Sequence, residues 1–305
     1  MKIDPRSIIN SRLGIGLALM LGRSVPPGIG YRVAYFMADR VAARKQWDLV
    51  RAARANQWVA SQETLSATEL DQAVRDTFHN IAHSIYNLYH YHTEPAAIER
   101  LFTFNPLAQQ IADRQQTHNE GALVVGMHLS NFDLAFQALY TFYFRNTRAL
   151  ALTLPEMKGG YRWQYEMRQN AGIEIVPTTP ATLRQAVERL RSGGIVMTGL
   201  DRPFPAEKYR PRFFGRPASL PVHHVYLALK TRAPIYVAAI SMRVDGTYAL
   251  LVSDPISMCP DHDRKSEIIV NAETVLRVAE GFIRQAPRQW AMTFPVWPEA
   301  LEQVP

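Results

Sequence analysis

The 305-residue chain has one cysteine, Cys259. That excludes an internal disulfide, a cysteine-rich metal centre and an Fe–S cluster, and it suits a reducing compartment. No run reaches the ~18 consecutive apolar residues that cross a bilayer. The apolar patch from Leu13 to Leu21 is not followed by a small-residue cleavage site, so a cleavable signal is not expected. The sequence also lacks a Walker loop, Gly-x-Gly-x-x-Gly, His-Glu-x-x-His and Gly-x-Ser-x-Gly. Nucleotide-cradling, zincin and nucleophile-elbow chemistry therefore have no foothold. Repeats and low-complexity stretches are absent, and a 47% apolar composition excludes collagen, coiled coil and wholesale disorder.

What is present is an uneven charge. Through residue 60 there are ten basic and three acidic side chains, a net of +7, which equals the net charge of the whole chain. A basic N-terminal arm seeks an anionic partner, nucleic acid or a phospholipid surface. No nucleic-acid-binding motif accompanies it. Instead, Leu13, Ile15, Leu17, Leu19 and Met20 lie between Arg12 and Arg23, and Pro26-Pro27 stops the segment. A short apolar patch bounded by arginines fits a helix lying in the bilayer interface, with an ordinary hairpin of core helices as the alternative.

Periodicity divides the chain near residue 115. Residues 1–115 read as a helical region, with apolar periods over 31–44, 47–60 and 73–89 and a capping box at Ser66 to Glu69. Residues 116–305 read as an α/β core. Strands are expected at 122–126, 148–154, 173–176, 195–200, 235–242 and 248–252. Helices are expected at 132–144, 164–170, 183–191 (Thr179 as N-cap, Pro180 at N1), 222–230 and 263–285. Alternating strands and helices imply a mostly parallel central sheet flanked by helices. In such sheets the chemistry sits at the carboxyl ends of the strands.

Just past the first of these strands stands His128-Leu-Ser-Asn-Phe-Asp133. A histidine five residues before a carboxylate can serve as a general base with Asp133 fixing its tautomer. Nine histidines and 27 acids make about one such spacing expected by accident. His262 and Glu267 are a second instance, but in a polar loop with no strand before it, so position favours His128. Asp201 ends a later strand and reads as a catalytic group or a loop cap. Arg168 reads as an oxyanion or phosphate binder, or a solvated helix residue. The run from Arg202 to Arg216 carries Arg202, Lys208, Arg210, Arg212 and Arg216 against Glu207. It is a proline-rich loop suited to phosphate contacts or simply to water. His79, His83, His90 and His92 fall close together on the third helix, but three ligands in one row cannot close a tetrahedron. His223 and His224 point to different faces. No metal is expected.

This ordered set resembles the bacterial lipid A late acyltransferases and the related phosphatidylinositol mannoside acyltransferases, within the glycerolipid and lysophospholipid acyltransferase superfamily. The residues that carry it are His128-Leu-Ser-Asn-Phe-Asp133 (the HX4D motif), Arg168 with Gly172, and Gly193-Gly194 leading to Asp201. To these add Phe213-Phe-Gly-Arg-Pro-Ala218, Ala228 to Pro234, and Phe282 to Trp290 with Val296-Trp-Pro298. The resemblance implies transfer of a fatty acyl group from acyl-CoA or acyl carrier protein to a lipid hydroxyl. His128 would be the base and Asp133 its partner, with Arg168 and Asp201 as further site positions. Ser130, Asn131 and the basic loop would contact substrate. No cofactor is implied beyond the thioester co-substrate. The location implied is peripheral or monotopic, on the cytoplasmic face of the inner membrane. Ser130-Asn-Phe-Asp133 stands where lipid A enzymes often show Gly-Asn-Trp-Glu. Arg202 follows the later acid where they commonly have Gln. Both departures lean toward the mannoside branch. The alternatives are a lysophospholipid acyltransferase, a lipid or thioester hydrolase on the same fold, and a non-catalytic membrane-binding protein.

Overall fold

The computed structural model describes residues 22–103, 105–153, 165, 166, 168, 169 and 173–305. Arg12, Leu13, Ile15, Leu17, Leu19 and Met20 lie outside the described residues. Arg23 is within them, its guanidinium 3.4 Å from His92 Nε2. Among the described residues no helix is long and apolar enough to cross a membrane.

A helical layer comes first: α1 (Pro27–Ala42), α2 (Asp48–Ala60) and α3 (Ala67–Tyr91), then the short α4 (Pro95–Leu101). The capping box expected at Ser66 is formed. Its side chain accepts from the Glu69 N–H, and Glu69 accepts from the Ser66 N–H at 2.8 Å, satisfying two donors that the first helical turn leaves unpaired. Strand β1 (Phe102–Thr103) and helix α5 (Pro106–His118) follow, so the first 115 residues also supply an edge strand to the sheet.

The sheet then alternates with helices: β2 (Ala122–Gly126), α6 (Phe132–Leu139), β3 (Ala149–Thr153), β4 (Glu174–Pro177), α7 (Pro180–Arg191), β5 (Ile195–Gly199), a two-residue hairpin β6 (Arg212–Phe213) and β7 (Arg216–Pro217), α8 (His223–Thr231), β8 (Ile235–Met242), β9 (Tyr248–Val252) and α9 (Arg264–Gln285). Strand order is β1-β9-β8-β2-β5-β3-β4, parallel throughout except for β8 against β9. β2 shows why the layers form. Leu123 and Val125 join one apolar cluster, Ala122 and Val124 another. Successive side chains of a strand point to opposite faces, so a strand apolar throughout needs cover on both.

One helix departs from expectation. The apolar period over 132–144 is not one helix. The α-helical pattern stops at Leu139 and Tyr140–Phe144 continues as a π-helical turn, an element that often accompanies functional sites. Leading into β5, Gly193 has φ 77°, and a Cβ there would collide with the Asn119 carbonyl. Only glycine fits this turn, which sets where β5 begins.

Candidate active site

β2 and β5 are parallel neighbours with Gly126 opposite Gly199. Two residues beyond each glycine come His128 and Asp201, so the register delivers these side chains next to one another at the carboxyl edge of the sheet. The His128 ring Nδ1 lies 2.7 Å from Asp201 Oδ1, and the His128 backbone N–H donates to Oδ2 at 2.9 Å. The Trp290 indole N–H donates to the same Oδ2 at 2.8 Å. Asp201 is fully buried. Burial acts to raise its pKa. The His128 charge, together with the hydrogen bonds from the ring, Trp290 and the His128 backbone, outweighs that and holds the carboxyl below its ordinary value. With Nδ1–H held by a carboxylate, Nε2 is the nitrogen left to accept a proton.

This corrects the expected pairing of His128 with Asp133. The carboxylate on Nδ1 is Asp201, while Asp133, buried on the first turn of α6, is ion-paired with Arg168. The physical reason is register: a parallel neighbour brings its loop directly alongside, whereas the five-residue spacing carries the chain round a helical N-terminus. Burial draws the Arg168 guanidinium down to about 10, still charged at neutral pH. It lies 5.3 Å from the centre of the Phe136 ring.

The loop between β2 and α6 is held from the other side by the C-terminal segment. Ala291 N–H donates to the His128 carbonyl at 2.7 Å, and Ser130 N–H to the Gln289 carbonyl at 2.7 Å. These bonds hold Ser130 at φ 49°, a left-handed conformation that costs a non-glycine residue of order 1 kcal/mol. Asn131 caps α6 through its side chain, which accepts from the Leu134 N–H, and reaches the Tyr248 hydroxyl at 3.5 Å. Ser130 and Asn131 thus shape the loop that presents His128, and neither lines the cavity described next.

Beside His128 opens a cavity of about 270 Å³. One stripe of α6 lines it with Phe132, Ala135, Phe136 and Leu139, and the sheet adds Val124, Ala151, Met197 and Leu250. Its polar lining includes His128, Arg168, Arg202, Thr198 and His223. Thr198 Oγ1 and His223 Nε2 are 2.8 Å apart, and burial draws His223 down to about 4, leaving it neutral. An apolar slot with a base and a guanidinium in its wall can hold a hydrocarbon chain with a polar reacting centre at one end.

The basic loop is divided by the fold. Arg202 reaches the cavity and lies 4.2 Å from the Phe294 ring centre. Arg212 donates to the Gly215 carbonyl within its own hairpin. Arg216 is ion-paired with Glu63, bonded to Gln303 and stacked over Trp58. Lys208 and Arg210 are exposed. For Lys208, Arg210, Arg212 and Arg216 the expected substrate contacts find no place in the cavity wall, and for Arg216 the protein itself occupies the fork. Phe213 and Phe214 pack with Trp290 and Trp297. The motif around them thus supports the wall behind Asp201. Sequence reasoning did not single out Trp290, His223 or Thr198 as site residues. For Thr198 the available signal was its place two residues before the end of a predicted strand.

The histidines on α3 and at its C-terminal end are occupied elsewhere. His79 meets Asp39, His83 meets the Tyr35 hydroxyl, and His90 and His92 meet backbone carbonyls. His262 is exposed. Among the described residues no three His, Cys, Asp or Glu side chains converge as a metal site.

The profile of bacterial lipid A biosynthesis acyltransferases matches residues 9–298. The chain belongs to that family. It is therefore an acyltransferase, acting with an acyl donor and a lipid-type acceptor. Comparison with curated proteins yields no match.

Proposed function

We propose that this acyltransferase moves a fatty acyl group from an acyl thioester, on coenzyme A or acyl carrier protein, to a hydroxyl of a membrane glycolipid. The acceptor class is lipid A-type or phosphatidylinositol mannoside-type, met at the cytoplasmic face of the inner membrane. The observation that carries this reading is His128 in the wall of an apolar cavity, its ring held from behind by the buried Asp201. His128 Nε2 takes the proton of the acceptor hydroxyl as its oxygen attacks the thioester carbonyl, and Asp201 stabilises the imidazolium that forms. Arg168, the cation in the same wall, favours the negative charge developing on the carbonyl oxygen. As the tetrahedral adduct collapses, the C–S bond breaks and the thiolate takes the proton back from His128. The route draws on no cofactor beyond the thioester co-substrate.

The test is a product assay with radiolabelled palmitoyl thioester on each carrier and a panel of glycolipids, phospholipids and no acceptor, wild type beside His128→Ala. Label entering one glycolipid, and lost in the variant, is the expected result and names donor and acceptor. Label in a phospholipid, or released as free fatty acid whatever the acceptor, would replace this reading with the lysophospholipid acyltransferase or hydrolase alternative.

A further inference from the structure

The cavity beside His128 reaches both faces of the sheet. Val124, Ala151 and Met197 border it on the face covered by α6, where they share an apolar cluster with Ala135 and Ala138. Thr198 and Ala239 alternate to the opposite face, which α8 covers through Leu227 and Ala228. The two arms meet over Gly126 and Gly199, which stand opposite one another in register at the ends of β2 and β5. A Cβ at Gly199 would meet nothing within 4 Å, and the nearest atom to one at Gly126 is the Ala238 carbonyl oxygen at 3.8 Å. The missing side chains leave the strand ends open beside His128, and the arms join there.

The arm under α8 contains a histidine that the proposed reaction leaves unused. His223 is the first residue of α8, and Thr198 Oγ1 holds its Nε2 at 2.8 Å. Among the described residues no group bonds its Nδ1. That nitrogen is not sealed in, unlike both ring nitrogens of the adjoining His224, which are buried without a partner. The ring therefore has one nitrogen anchored and one to offer. If the Thr198 hydroxyl donates to Nε2, the neutral ring carries its proton on Nδ1 and donates from there. If Nε2–H donates to Thr198, Nδ1 accepts. A group that both donates and accepts, a hydroxyl or a secondary amide, suits either tautomer. Burial keeps the ring neutral, so it holds out no charge to a phosphate and competes little with His128 for a proton.

We propose that Thr198 and His223 form a subsite for an uncharged hydrogen-bonding group of a substrate, next to the atom that reacts at His128. Two groups have this chemistry: a second hydroxyl of the acceptor, and the amide nearest the sulfur in the pantetheine arm of the donor. The proposal rests on the reading of His128 as the base at which both substrates meet. It makes His223 a specificity-determining residue, selecting by what is attached to the reacting atom.

Selectivity ratios in wild type, His223→Leu and Thr198→Val test it. Palmitoyl-CoA is compared with S-palmitoyl ethanethiol, which lacks the amide. As acceptor, n-octyl glucoside is compared with 1-octanol, which lacks the further hydroxyls. One of the two kcat/KM ratios should fall roughly tenfold in His223→Leu, the contribution of one hydrogen bond. Thr198→Val, which keeps the ring and removes its anchor, should lower the same ratio roughly threefold, and it carries the test alone if His223→Leu does not fold. The ratio that falls names the source, amide or hydroxyl. A packing defect lowers all rates together, so unchanged ratios overturn the proposal. A fall in both ratios marks a reshaped arm and also overturns it. A wild type that transfers no acyl group refutes the proposed reaction, and the subsite is then decided without turnover. Histidine ¹⁵N spectra of the full chain, with the His223 signal assigned by its loss in His223→Leu, are recorded with pantetheine and with methyl glucoside. A shift with one of them leaves the subsite standing, and no shift with either overturns it.

Discussion

At the carboxyl edge of β2 and β5 the charged groups are enclosed by protein. Asp201 receives the His128 ring, the His128 backbone N–H and the Trp290 indole, and Asp133 answers Arg168. In the loop that follows, from Arg202 to Arg216, a higher density of charge is spread over the surface. Lys208 and Arg210 are exposed, Arg212 is turned onto its own hairpin, and Arg216 is committed to Glu63 and Trp58. Only Arg202 of the five reaches the cavity. A parallel sheet sets the starts of two loops side by side, so charges there can be stripped of water and aimed at one point. A proline-rich surface segment has no such frame and leaves its charges to solvent or to structural partners. Strand ends, more than charge density, mark where chemistry is possible.

The largest effect is expected from Asp201→Asn. The amide keeps the volume but cannot hold Nδ1–H and stabilise an imidazolium, so kcat should fall by about 10⁴ with the melting curve still cooperative. Asp133→Asn, whose carboxylate answers Arg168, should cost less. Equal losses in both variants, each folded, would mean that strand register does not select the partner of His128.

Much of this edge was legible from local signals. Thr179 and Pro180 start α7 as their types demand, Ser66 forms its box with Glu69, and 122–126, 235–242 and 248–252 are strands end to end. The strand-to-helix setting of His128 was legible for the same reason. What escaped was non-local. Both His128 and Asp201 stood at predicted strand ends, but nothing in the sequence says that β2 and β5 are neighbours, and the five-residue spacing to Asp133 offered a nearer partner. Trp290 lies 89 residues from Asp201 and was visible only as part of a resemblance. The π-helical turn at Tyr140 escaped because its apolar residues continue the helical period. The basic arm was misleading in part. Arg51 and Arg54 spend their charge on Glu302 and Asp71 within the protein.

Arg168 and Arg216 refine the comparison, since both are ion-paired and only Arg168 lines the cavity. Arg168→Gln should lower kcat about a hundredfold by removing the cation beside the reacting carbonyl. Arg216→Gln should leave turnover per folded molecule within about twofold and lower stability by about 1 kcal/mol, as expected for a partly exposed pair. A large kcat loss at Arg216, with stability kept, would restore the basic loop to the site.

A further question is whether Trp290 acts through its N–H or only through its bulk. Phe in its place keeps the contact with Phe213, Phe214 and Trp297 but gives Asp201 one donor fewer. The expected loss in kcat is about tenfold, because the carboxylate that orients the base is itself less firmly held. A packing defect could produce the same loss, and pH separates the two. Asp201 has its folded pKa below the ordinary 3.8. The stability it contributes is therefore full above that value and is lost as pH falls through the folded one. Removing a donor to the charged form raises the folded pKa and shrinks this contribution. Wild type should exceed Trp290→Phe by roughly 1.5–3 kcal/mol near neutrality. The gap should narrow in denaturant titrations carried below about pH 4. Space left by the smaller ring costs the same at every pH, so a gap that stays flat would reduce Trp290 to a packing residue and leave the orientation of His128 to Asp201 alone.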